Sequence, residues 1–305
     1  MKLLQVNKAH ISYRLKTVLT PFNIILFIGL VLFALSLLIP FIWGLLTSFK
    51  YRLDYADNAL GFPNPFYWQN YADAYNNFKV TVPFGASSAT YTLLGMAVNS
   101  VIFSLGGALI QAFCCAFVAY AVAKFSDYKL SKLLYLVVIV AMILPIVGAQ
   151  TSEIRILNGL GLYNTMFGVL FMKASFLGTY FLVFHAFFRG LPKDYFEAAQ
   201  LDGAGNFSIL FRLVLPMARN IIFIVTLLYF IGNWNDYNVT LLYAPSVPVL
   251  SYGLYEFNLS NNPDITSTPH KLAGAMIVFI PVFVLFCAFS KKLIEGNLTM
   301  GGVKE

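Results

Sequence analysis

Charge is what this chain has least of. Its 305 residues include thirteen aspartates and glutamates and twenty lysines and arginines, together 11%, where a soluble domain carries about a quarter. With 59% hydrophobic residues, too little polar surface is left to coat a soluble globule, which places the chain in a bilayer. Cysteine is scarce too. Cys114, Cys115 and Cys287 all fall in apolar stretches, which excludes a disulfide framework or a zinc site, and they read as buried small residues. His10, His185 and His270 are scattered without ligand spacing and read as structural. No G-x-x-x-x-G-K-[ST] loop, H-E-x-x-H pair or G-x-S-x-G elbow occurs, so the chain has no phosphate cradle and is not an enzyme by itself. The net charge of +7 comes without a basic cluster interleaved with aromatics, which argues against nucleic acid.

What is present is apolar length. A helical span needs about twenty mainly apolar residues, and six stretches qualify: 22–47, 92–123, 133–149, 165–188, 217–243 and 272–289. The expected fold is therefore all-α and polytopic. Its parts are an N-terminal segment 1–21, a six-span domain 22–290 and a tail 291–305. The basic start followed by an apolar run resembles a signal peptide, but the run is too long and ends in Ser48-Phe49-Lys50-Tyr51 without a small-residue cleavage site, so it reads as a retained span. Six spans put both termini on one side. Fourteen of the lysines and arginines fall on that side and five on the other, with Lys173 inside a span. By the positive-inside rule both termini and the connection between spans four and five are cytoplasmic.

That connection, 189–216, is longer than two spans need. Pro192 suits the first turn of a helix, and Asp194 and Glu197 set negative charge near its positive end. Asp202-Gly203 signals a reversal, Asn206 or Ser208 can cap a second short helix, and Pro216 ends it. Two readings follow: a bracket built to dock a partner, or an amphipathic helix lying on lipid.

Glu197-Ala198-Ala199, three residues, Gly203, nine residues and then Leu213-Val214-Leu215-Pro216 resembles the EAA motif of binding-protein-dependent ABC importers. Pro192-Lys193, Asp202-Gly203-Ala204 and Trp234-Asn235 narrow the likeness to the maltose-type second permease of carbohydrate uptake. The resemblance implies a cytoplasmic coupling helix that seats in a groove of a separate ATPase. Glu197, Ala198, Ala199, Asp202, Gly203, Leu215 and Pro216 then carry the coupling. It implies a bacterial cytoplasmic membrane location and a heterodimer with a related permease, two ATPase subunits and an extracytoplasmic solute-binding protein. ATP and magnesium belong to the ATPase, and this chain binds no cofactor. The Gly-rich tail resembles the family ending that reaches the ATPase. Departures from the pattern are Arg219-Asn220, where a proline is common, and Ser290-Lys291-Lys292, where glutamine is frequent.

Polar residues inside apolar stretches mark the pathway candidates. In span two, rich in Gly106, Gly107, Ala108, Ala112, Ala116 and Ala119, Gln111 faces the interior as helix glue or as pathway lining. In span five Asn233, Trp234, Asn235 and Asp236 fall between midplane and outer surface, but point in different directions. They read as pathway lining or as an outer aromatic belt, and the resemblance assigns the main sugar site to the other permease. Pro40, Pro145 and Pro281 are candidate bends, and 161–165 a short external re-entry. The aromatic-rich loop 50–91 reads as a surface for the binding protein or as a cap on the spans. A secondary transporter is the competing class; it predicts paired ionisable residues within spans or an inverted repeat, and the sequence displays neither. Cargo other than sugar, such as amino acids, peptides or glycerol phosphate, is the alternative within the ABC class.

Overall fold

The computed structural model describes residues 20–84, 87–144, 148–263 and 265–300. The basic start with His10, Pro145, and the tail from Gly301 onward lie outside the described residues. Helix α1 (Pro21–Ser48) opens with Pro21 in its first turn and the Thr20 hydroxyl accepting from Asn23 N at 3.3 Å, a position where proline forfeits nothing. It runs unbroken through Pro40, and its most apolar window has no buried residue, as suits contact with lipid.

The loop between α1 and the next long helix folds into α2 (Arg52–Asp57), α3 (Gln69–Asn77) and an antiparallel hairpin, β1 (Lys79–Phe84) with β2 (Ser87–Thr92). This hairpin corrects the all-α expectation. Its strands alternate Val80, Val82 inward with Thr81, whose hydroxyl meets Thr90 at 3.0 Å across the ladder, and β-branched residues favour that pleated setting. The loop serves as a cap in part. Asn70 is fully buried and its amide donates to the Ser48 and Lys50 carbonyls, whereas Phe62, Phe66 and Trp68 stay exposed.

Helix α4 (Leu93–Lys124) is the axis of the packing, flanked by α8 (Thr179–Arg189) and α12 (Arg219–Asn235). Ser104, Ala108, Ala112, Ala116 and Ala119 are buried along it. Small side chains let helices approach closely where lipid supplies no hydrophobic drive between them. Phe181, Phe184, Ile221 and Val225 fill the inner half of this contact. Phe78, Val80, Met96, Phe230, Trp234 and Phe257 form a second cluster that seats the hairpin.

Three helices are long and apolar enough to cross a membrane among the described residues: α1, α4, and Thr268–Ser290 of the last helix, α15 (Thr268–Met300). A fourth arises if the pair Asn206–Met217 and Arg219–Asn235, bent by 72°, is one span. Helix α5 (Lys129–Ile143) covers most of the third apolar stretch and α6 (Gln150–Gly159) follows that stretch, while the fourth stretch is interrupted, α7 (Met166–Met172) being separated from α8 by the non-helical residues from Lys173 to Gly178. After α12 come α13 (Asn238–Tyr243) and α14 (Leu250–Leu259). The 161–165 re-entry is a tight turn in which Asn164 takes a φ of +61° and its amide group bonds to Ser246 Oγ and N at 2.9 and 2.7 Å. Cys115 is buried as expected, but Cys287 is exposed on α15.

Candidate functional site

The bracket consists of α9 (Lys193–Leu201), a turn, α10 (Asn206–Ile209), a π-helical turn Leu210–Val214 and α11 (Leu215–Met217). Pro192 precedes the first helical residue, and Asp194 occupies the first turn. Gly203 has a φ of +77°. Around it Ala204 N donates to Ala199 O at 2.9 Å and Gly203 N to Gln200 O at 3.0 Å. That is the Schellman closure of a helix, in which a left-handed residue lets two otherwise orphaned carbonyls find donors. The Ala-x-x-x-Gly spacing thus has a backbone reason. Ala199 and Ala204, the residues joined by the longer-range bond, are also half-buried against the membrane core.

The bracket has two faces. Phe196, Ala199, Ala204, Leu210 and Leu213 pack on the cluster of Tyr120, Phe188, Ile209 and Val214. Away from that cluster Leu201 is 89% and Phe207 80% exposed, and Tyr195 is exposed as well. Glu197, Ala198 and Asp202 are exposed, Leu215 is half-buried and Pro216 exposed. Two details differ from the sequence reading. Gly205, not Asn206 or Ser208, stands at the cap of α10, and the Asn206 amide oxygen instead accepts from Lys124 Nζ at 2.9 Å. The chain turns at Ala218, two residues past Pro216, before α12 starts at Arg219. Lys124 also lies 5.6–5.9 Å from the rings of Tyr120, Phe125 and Phe196, a cation held over aromatic faces. One ammonium therefore touches α4 and both halves of the bracket.

About 25 Å of helix α12, at ~1.5 Å per residue, separates the bracket from the polar cluster. There the structure separates the candidates. Asn233 and Trp234 are buried, and the Trp234 indole donates to Val278 O at 3.2 Å. Asn235 is exposed and its amide turns back to Ile231 O at 2.9 Å. Asp236 and Gln111 come together on a cavity of about 390 Å³ with Gln150, Lys173, Asn238 and Tyr243. Gln111 Oε1 is buried and has no hydrogen-bond partner among the described residues.

Lys173 Nζ reaches Asp236 Oδ2 at 3.2 Å. The pair corrects the reading that no ionisable residues are paired within the apolar stretches. Lys173 sits where a helix dipole favours it, whereas Asp236 lies between the C-terminus of α12 and the N-terminus of α13. Lys173 follows the C-terminus of α7, and Asp236 stands before α13, accepting from Val239 N at 3.3 Å. The sequence did hold a signal for Lys173, an ionisable residue inside an apolar stretch. Its partner is 63 positions away.

The family of inner membrane components of binding-protein-dependent transport systems matches residues 9–295. The chain belongs to that family. It is similar to the diacetylchitobiose uptake system permease protein of Streptomyces coelicolor, 28% identical over 89% of this chain and 86% of that one. It is also similar to the melibiose/raffinose/stachyose import permease protein of Bacillus subtilis, 27% identical over 87% and 91%. Among solved structures, a bacterial ABC transporter involved in importing the acidic polysaccharide alginate superposes with a TM-score of 0.70. That match is 20% identical and covers 88% of this chain and 95% of the other, a likeness of fold. The chain combines a bracket with an exposed apolar face and a polar cavity, and α12 runs between them. Among the described residues no group of His, Cys, Asp and Glu is arranged to hold a metal.

Proposed function

We propose that the chain is a permease subunit of an ATP-driven importer for a sugar or oligosaccharide. It would pair with a related permease and receive cargo from an extracytoplasmic binding protein. The sugars for which the Streptomyces and Bacillus relatives are named support a carbohydrate cargo. The observation that carries the mechanical part is the exposed apolar face of the bracket, Leu201 and Phe207 above all. Large apolar side chains on a polar-rimmed projection mark a protein contact, and the partner of the right kind is a pair of ATPase subunits that bind ATP and magnesium. Six spans with both termini cytoplasmic is the arrangement that fits the charge distribution, with the interrupted fourth stretch counted as one crossing. In this scheme closure of the ATPase pair moves the bracket, and α12 passes that motion to the polar cavity.

Purification of the tagged chain from its native membrane tests the proposal. A second permease and an ATPase should co-elute, and Leu201→Asp with Phe207→Asp should cut ATPase recovery at least tenfold. Recovery of the chain without any ATPase overturns it. The secondary-transporter reading now has one observation in its favour, the Lys173–Asp236 pair. Uptake into vesicles that persists without ATP but collapses with the ion gradient would select it.

A further inference from the structure

We propose that the cavity lined by α4, α6, α7 and α13 is a carbohydrate subsite on this subunit, and that the Lys173–Asp236 pair makes it selective for uncharged sugars. The inference rests on the importer reading above and adds a ligand class and two specificity-determining residues to it. The cavity has the right chemistry. Its volume of about 390 Å³ fits one or two sugar rings. Its lining offers the amides of Gln111, Gln150 and Asn238, groups that donate to and accept from hydroxyls. Gln111 lines the cavity, while its Oε1 is buried behind that wall without a hydrogen-bond partner among the described residues, a costly state for a polar atom.

Charge decides what class of sugar is accepted. Lys173 alone would hold a positive centre beside the Phe103 ring, 5.2 Å away, and would favour a carboxylate-bearing sugar. Asp236 cancels it at 3.2 Å. The pair is only partly exposed, at 18% and 29% of its side chains, so solvent screens it less than a surface pair. The remaining ionisable neighbour, Glu153, is engaged by the Tyr243 hydroxyl. A hydroxyl-rich neutral ligand can accept from Lys173 and donate to Asp236 together, whereas a uronate must displace Asp236 to reach Lys173.

The test uses the whole importer, this chain with its partner permease and ATPase, in nanodiscs without the binding protein. Radiolabelled melibiose and diacetylchitobiose are the neutral probes and a galacturonate disaccharide the acidic one. Wild type should favour a neutral probe by at least tenfold. Asp236→Asn should reverse that order by freeing the lysine, and Lys173→Met should weaken the neutral probe at least tenfold without gaining the acidic one. The double variant Lys173→Gln/Asp236→Asn, uncharged again, should regain the neutral preference, and it replaces any single variant that does not assemble. Equal preference across assembled wild type, singles and double overturns the subsite while leaving the importer reading intact. A wild-type assembly that lacks an ATPase overturns the importer reading instead.

Discussion

Gly203 and Gly168 show how single positions set the shape of this protein, for two different reasons. At Gly203 a side-chain methyl would meet open space, but φ is +77°, a region that costs a residue with a side chain about 1–2 kcal/mol. Gly203→Val is therefore expected to disrupt the bracket turn and lower transport severalfold while the chain reaches the membrane in normal amount. Gly203→Asn should keep most activity, since asparagine tolerates the left-handed region. Uptake normalised to membrane-inserted chain measures both, and normal transport by the valine variant would show the turn to be dispensable. At Gly168 the obstacle is contact. A Cβ there would lie 2.0 Å from the Leu162 carbonyl oxygen, inside the turn where the Thr165 hydroxyl accepts from Gly168 N at 3.0 Å. Gly168→Ala should cost about 1–3 kcal/mol, as overpacking does, visible as a lower midpoint of thermal unfolding in detergent. Only Gly203 was legible beforehand, because Asp-Gly is a turn signal in any context. The tightness at Gly168 arises from a loop folding back over the start of α7.

Between elements, the decisive contacts are the small-residue seam of α4 and the Lys124 clamp. Ala112 has no exposed surface and lies in the cluster with Phe181 and Val225, so Ala112→Leu should separate α4 from α8 and α12 and destabilise the chain by about 1–3 kcal/mol. Val98→Leu, at a position 59% exposed, is the control and should change nothing in the same unfolding assay. The seam was foreseeable from the run of alanine and glycine, although which residues face which partner was not. The Lys124–Asn206 bond at 2.9 Å joins the end of α4 to the second half of the bracket. A double-mutant cycle with Lys124→Met and Asn206→Ala should return a coupling of about 0.5–1.5 kcal/mol. Additive effects in the cycle would deny the clamp. Local rules misassigned Asn206 as a cap, because a capping residue and a partner for a distant lysine are the same residue type. Only the packing of α4 beside the bracket decides between them.

For the molecule as a whole, orientation is the outcome most open to a direct check. In a chain whose native cysteines are replaced by serine and in membranes stripped of the ATPase subunits, Leu201→Cys should react with a membrane-impermeant maleimide in inverted vesicles, and Phe62→Cys in right-side-out vesicles. The reverse pattern would invert the topology deduced from the lysines and arginines. The residence in a bilayer, the bracket and its turn, and the kinship with import permeases were all determined by the sequence alone, for they depend on composition and on spacings within some twenty residues. The tertiary structure decided the rest: the hairpin at one end of the helices, the interruption of the fourth stretch, and the pairing of Lys173 with Asp236. That last contact spans 63 positions and joins the residues that follow α7 and α12 where both helices pack on α4. Azimuth between helices is fixed by close packing, and no local pattern along the chain encodes it.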